Sequence, residues 1–165
     1  TTYAHSNSEM ISLIVWITSI LTSTVLAQRR DWSVCYRSCY RFIEHDERWY
    51  SAMQYCINHG WIPIKIDDHV EFSFIQNQLR QHYHIDDPRT IEFWIGAFYN
   101  SSIGQWMWYP NHDIMQLKMW APGEPNGLEA CIGLLEHENF YMNDDSCERA
   151  AYIICEDEHG EPIVG

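Results

Sequence analysis

The sequence predicts an α+β domain, and three observations carry that reading. Two stretches in the first half repeat apolar residues at helical spacing. The stretches after them are short, apolar and strand-like, and six cysteines are spread among them. A length of 165 residues fits one domain, and an apolar fraction of 46% supplies a core that disordered chains lack. Eight Trp and ten Tyr serve core and surface alike, because aromatic side chains bury large areas and also make binding faces.

Residues 10–27 come first in the chain and last in importance for the fold. They form an uncharged apolar run that ends on small residues, with Val25 and Ala27 in the −3 and −1 positions before Gln28. This is the pattern of a signal peptide, with residues 1–9 as upstream sequence foreign to the natural product and the domain at 28–165. A membrane-spanning helix is the competing reading, but the second half of the run carries Thr and Ser. Removal of the segment leaves no membrane insertion and places the domain in a secreted, extracellular setting. That setting is oxidising, so six cysteines imply bridges, although they allow 15 pairings in principle. Close Cys pairs and paired His, the usual marks of structural zinc, are missing.

Residues 39–42 alternate and read as an early strand. In residues 46–60, Trp49, Ala52, Met53 and Cys56 share one helical face, with Asp46 as an N-terminal aid and Gly60 as the stop. Residues 61–66 are strand-like around Pro63. A second helix starts at Asp68, whose cap is strengthened by Glu71, and presents Phe74, Ile75 and Leu79 on one face. Residues 81–90 are polar, contain Pro88 and read as loop. Residues 91–99 form a buried strand, and 104–109 another. Residues 111–130 are irregular and rich in Pro and Gly, a length that usually signals function. Residues 131–135, 140–142 and 150–155 close the domain as strands.

The formal charge is −13, and residues 1–27 contribute only Glu9 to it. Such a chain repels phosphate backbones, which argues against nucleic acid and anionic membrane surfaces as partners. An acid excess is ordinarily a solvated surface, but clustered carboxylates also ligate hard cations such as calcium.

Phe93-Trp94-Ile95-Gly96-Ala97, Trp106-Met107-Trp108, the run from Trp120 through Glu124-Pro125-Asn126, and the late cysteines Cys131, Cys147 and Cys155 together resemble the C-type lectin family over residues 31–156. The resemblance implies a C-type lectin-like fold: two helices, antiparallel sheets and a long calcium-binding loop. It also implies bridges Cys56–Cys155 and Cys131–Cys147, which leaves Cys35 with Cys39. The long-loop bridge closes about 15 residues, worth roughly 3 kcal/mol in the chain-entropy account.

The resemblance further implies one calcium ion, held by Glu124, Asn126, Glu129, Asn143 and Asp144, with the same side chains bonding the sugar. Calcium takes six to eight oxygens from carboxylates, amides, carbonyls and water, and this set offers three carboxylates and two amides. Two neighbouring sugar hydroxyls would complete the shell. Pro125 is expected to follow a cis bond that turns Glu124 and Asn126 toward one point. In the family, Glu-Pro-Asn accompanies mannose-type sugars (mannose, glucose, N-acetylglucosamine, fucose), and Gln-Pro-Asp accompanies galactose. The partners implied are glycans or glycoproteins, in a role such as innate recognition. Three departures stand out. The loop between Asn126 and Glu129 is about two residues short, Met142 replaces a usual Trp, and the auxiliary calcium positions Tyr99, Ile103, Gly127 and Ala130 carry no carboxylate. The alternative reading is an interaction module of the same fold that binds neither calcium nor sugar.

Asn100-Ser101-Ser102 is an N-glycosylation sequon. His82 and His84 read as solvated rather than metal-binding, and Glu136 and Glu138 as a solvated strand end. No nucleophile elbow, phosphate-cradling Gly loop or His-Glu-x-x-His helix points to an enzyme. Nothing in the sequence sets an oligomeric state.

Overall fold

The structure is a computed structural model that describes residues 31–83, 90–127 and 129–160. The expected signal peptide and the residues before it lie outside the described residues, as does His84. No described helix is long and apolar enough to cross a membrane.

Among the described residues, nine strands and two α-helices follow in the order β1 (Trp32–Cys35), β2 (Cys39–Arg48), α1 (Trp49–Asn58), β3 (Ile62–Pro63), α2 (His69–His82), β4 (Glu92–Asn100), β5 (Gln105–Trp108), β6 (Asp113–Ile114), β7 (Cys131–Leu135), β8 (Tyr141–Asp145) and β9 (Ala150–Asp157). β2 and β9 pair antiparallel from Cys39↔Asp157 to Arg48↔Ala150, joining the two ends of the domain. β4 lies beside β9, then hands its first half to β7 and its second to β5.

An unbroken apolar strand must bury both faces, and β4 does. Phe93, Ile95 and Ala97 face one cluster with Phe42, Ile132, Leu134, Phe140 and Met142. Trp94 faces the other, with Trp49, Ala52, Met53, Cys56 and Ile153. The predicted face of α1 is thus the buried one. Three bridges close the frame: Cys35–Cys39, Cys56–Cys155 and Cys131–Cys147.

Several expectations need correction. The sheet is mixed, because Phe93↔Tyr152 and Trp94↔Ile153 pair in parallel. Asp46 does not start α1: Glu47 and Arg48 still pair with Ala151 and Ala150, the helix has no side-chain cap, and the Trp49 N–H donates to Cys147 O at 3.0 Å. At α2, Asp68 does cap, accepting from Val70 N and Glu71 N at 2.9 Å each. The buried face of α2, however, is Glu71, Phe72, Ile75, Gln76 and Leu79, with Phe74 only partly covered. The helix also continues through His82, where a loop was expected. The His82 ring packs on Trp32 at 3.7 Å. Glu136 is not a solvated strand end. A 3-10 turn at Glu136–Glu138 carries it inward, its side chain is 0% exposed, and His137 Nδ1 lies 3.3 Å away.

Glu92 opens β4 and is a charge inside an apolar strand. Its side chain is 1% exposed, with Arg149 Nη1 at 3.4 Å. It lies over Gly133, the partner of Trp94 on β7, where a Cβ would stand 2.2 Å from Glu92 Oε1. Burial pushes the Glu92 carboxyl up to about 8, against the pull of Arg149 and with a push from Asp145. The folded protein therefore keeps a proton that the unfolded chain releases near its ordinary carboxylate value. Stability falls as pH rises through that window and levels off above about 8. Glu92→Gln imitates the protonated form. Calorimetry should show a higher Tm for this variant at about pH 8.5 and little difference at about pH 4.5.

Candidate functional site

The Pro- and Gly-rich segment 119–127 lies against β8, and backbone bonds fix it there. Met142 N donates to Met119 O and Ala121 N to Met142 O, both at 2.8 Å, and Glu124 N donates to Ala121 O at 3.0 Å. Met142 itself is 0% exposed, so the flexible thioether fills the space under the segment. The Glu124–Pro125 peptide is cis.

Asp144 is the anchor of the turn that follows. It is only 2% exposed. Its Oδ1 accepts from Asn126 N at 3.0 Å and its Oδ2 from Gly127 N at 3.2 Å. Glu124 Oε2 accepts from the same Asn126 N at 2.9 Å. Two carboxylates thus converge on one backbone donor. The Asp144 carboxyl in contact with it, and partial burial, raise the Glu124 pKa above its ordinary value, and the Asn126 N–H only partly offsets this.

The five expected calcium ligands separate into three groups. Glu124, Asn126 and Asp144 share this turn. Glu129 is half-buried, and its Oε2 is shielded from solvent with no hydrogen-bond partner among the described residues. Asn143 and Asp144 alternate across β8, and the Asn143 amide acts on Glu92, opposing the rise in its pKa. No group of three or more His, Cys, Asp or Glu among the described residues is arranged to hold a metal. The donor set at the turn is instead two carboxylates that share one backbone donor, with Asn126 between them, and Glu129 with its orphaned oxygen stands outside it. Crowded hard-oxygen donors of this kind fit calcium, whose charge would relieve the repulsion that lifts Glu124.

Sequence reasoning missed the backbone N–H groups of Asn126 and Gly127, which tie Asp144 to the loop, and missed Glu92 and Arg149 behind Asn143. The one available signal was a Glu at the head of an apolar strand. A separate cleft of about 340 Å³, lined by Glu92, Asp46, Thr90 and Tyr152 among others, shares no residue with the loop. At the sequon, Asn100 Oδ1 accepts from Ser102 N at 3.0 Å, and Asn100 Nδ2 lies 3.6 Å from Met107 Sδ.

Comparisons with known proteins identify the family and the fold. A family model described as "Lectin C-type domain" matches residues 45–157. The chain is 31% identical to killer cell lectin-like receptor 6 of Mus musculus over 127 residues, covering 73% of this chain but only 41% of the receptor. It is 25% identical to salivary C-type lectin 2 of Aedes albopictus over 124 residues, covering 71% of this chain and 82% of that protein. Among solved structures, the Ca2+-independent C-type lectin SPL-2 from Saxidomus purpuratus superposes with a TM-score of 0.66 at 23% identity, covering 77% of this chain and 91% of that one. At that identity the likeness shows the fold alone.

In calcium-free protein, Asp144→Asn should remove the charge that raises Glu124. Side-chain carboxyl NMR titration should then find the Glu124 pKa lowered toward its ordinary value.

Proposed function

From a chain that belongs to the C-type lectin domain family, we propose an extracellular protein that binds mannose-type glycans through one calcium ion, with no catalytic step. The carrying observation is the pair Glu124 and Asp144, whose carboxylates both accept from the Asn126 N–H on the Asn126–Gly127 turn. Such a pair is costly without a cation and ready for one.

Glu124, Asn126, Glu129, Asn143 and Asp144 would hold the ion. When bound, calcium supplies coordination positions that two adjacent sugar hydroxyls can fill. The protein groups do the rest. Carboxylate oxygens of Glu124 and Asp144 accept hydrogen bonds from the hydroxyls, and the Asn126 amide donates one. The Asp144 bonds to Asn126 N and Gly127 N hold these groups in register, so little ordering is left to the moment of binding. Monosaccharide affinity is expected on the order of millimolar, about −4 kcal/mol, so avidity would rest on several copies. Three disulfides support an oxidising extracellular setting. A glycan at Asn100 belongs to the same proposal.

A second reading, an interaction module without calcium or sugar, is favoured by one observation: among the described residues Glu129 does not group with Glu124 and Asp144 into a three-carboxylate site. A neighbour of the same fold described as Ca2+-independent makes that reading worth testing beside the first.

The deciding experiment is retention on mannose-agarose in calcium followed by elution with EDTA. Retention and release, with a calcium-dependent rise in Tm, are expected. Passage through the column with no calcium effect on Tm would falsify the calcium-lectin reading and favour the second. Glu124→Gln combined with Asn126→Asp is expected to exchange mannose for galactose in competition elution. Retention should fall as pH drops, and fall early for a carboxylate site, because Glu124 takes up a proton above its ordinary pKa and protons compete with calcium.

A further inference from the structure

The loop turn holds a residue pair with a covalent chemistry of its own. Asn126-Gly127 is the single Asn-Gly sequence in the chain. Asn is a chemically labile residue, because its amide carbon, Cγ, can be reached by the backbone nitrogen of the next residue. A glycine at that nitrogen brings no side chain to block the approach. Both residues are exposed and stand outside every described strand and helix. Gly127 has a φ of 80°, and a Cβ built on it would meet nothing within 4 Å, so the space beside this peptide is open. Every other Asn precedes a residue with a side chain, and Asn58, Asn77, Asn100 and Asn143 are also held in helices or strands.

The fold adds a proton acceptor at the reacting nitrogen. Asp144 Oδ2 accepts from Gly127 N at 3.2 Å, within the reach of a general base. The other oxygen of the same carboxylate accepts from Asn126 N at 3.0 Å, and Asp144 is only 2% exposed. Its carboxylate is therefore fixed across the Asn126–Gly127 peptide. A backbone nitrogen is a weak nucleophile until its proton is taken, and an acceptor held in place removes the need to find one from solvent.

We infer that Asn126 is a site of self-modification by deamidation, with Asp144 as the base. The Gly127 nitrogen bonds to Asn126 Cγ, its proton passes by way of Asp144 to the departing amide nitrogen, and ammonia leaves. Water then opens the resulting succinimide at either carbonyl, which gives Asp or isoaspartate at position 126. Water is the only co-reactant. The product sets a new carboxylate beside Glu124 and Asp144, and isoaspartate also inserts a methylene into the backbone. The amide that would donate to a sugar hydroxyl is gone, and Glu-Pro-Asn becomes Glu-Pro-Asp, which is neither the mannose-type nor the galactose-type order. The modification stands apart from the calcium-lectin reading; the loss of sugar binding rests on it. The loop thus limits its own working life.

The test stores the purified protein in EDTA at body temperature and mildly alkaline pH. Peptide mapping by mass spectrometry follows every Asn over time, and isoaspartyl methyltransferase labels any isoaspartate. Portions of each sample are returned to calcium and passed over mannose-agarose. Amide loss at Asn126 ahead of every other Asn is expected, with isoaspartate at that position and retention falling in step. Gly127→Ala should remove the lead of Asn126, and Asp144→Asn, which keeps an acceptor oxygen but no base, should slow the conversion. Another Asn converting first, or an Asn126 that keeps its amide, overturns the inference. A rate unchanged or raised by Asp144→Asn overturns the role of Asp144. Conversion with retention intact overturns the loss of sugar binding. Fresh protein that never binds the column overturns the calcium-lectin reading, and the mass readout then decides the modification by itself.

Discussion

Strand β4 is the constraint on which the rest of the structure depends. Phe93 and Ile95 are inserted into one hydrophobic cluster and Trp94 into the other, all at 0% exposure. A one-residue slip would send Trp94 into the space shaped for Phe93 and Ile95 and the reverse, so packing on both faces fixes the register. With β4 fixed, β9 is held along it in parallel, β7 and β5 take its two halves, and α1 covers Trp94. The sugar-loop candidates then inherit their positions. β7 pairs with β8 through Ile132↔Asp144 and Gly133↔Asn143, so the placement of Asp144 follows from that of β4 at two removes.

On this frame the loop is held mainly by backbone bonds. Donors from Ala121, Asn126 and Gly127 all end on β8, on Met142 O or the Asp144 carboxylate. A loop with few apolar contacts of its own needs such bonds to keep one shape, and Asp144, almost wholly buried, makes charge-assisted ones. The cost is electrostatic. Asp144 brings its charge against Glu124, and two carboxylates in contact favour protonation of one of them. The same side chain thus orders the loop and crowds Glu124.

Local chemistry was legible in the sequence. The Trp49, Ala52, Met53 and Cys56 face of α1, the Asp68 cap and the extent of β7 follow from spacing and residue type, and the cis bond at Glu124–Pro125 was expected from the family resemblance. What escaped depends on distant partners. Asp46 looks like a helix start until β9 is seen to hold Glu47 and Arg48 in the sheet. Phe74 and Phe72 are two residues apart, and only the packing of α2 chooses Phe72 for the core. Parallel pairing of β4 with β9 joins residues some sixty positions apart, and no local pattern encodes it. Glu136 was misread for a related reason: a charged residue in a polar stretch looks solvated unless the 3-10 turn that carries it inward is known.

Glu92 shows how scaffold and site share one strand. Burying a carboxylate is unfavourable, and Arg149 offsets only part of that cost, being itself shared with Asp145 and over a third exposed. Neither Glu92 oxygen has a hydrogen-bond partner among the described residues, so protonation relieves the rest. Neighbours on a strand point to opposite faces, so Asn143 lies on the side of β8 that meets Gly133 and Glu92 while Asp144 serves the loop.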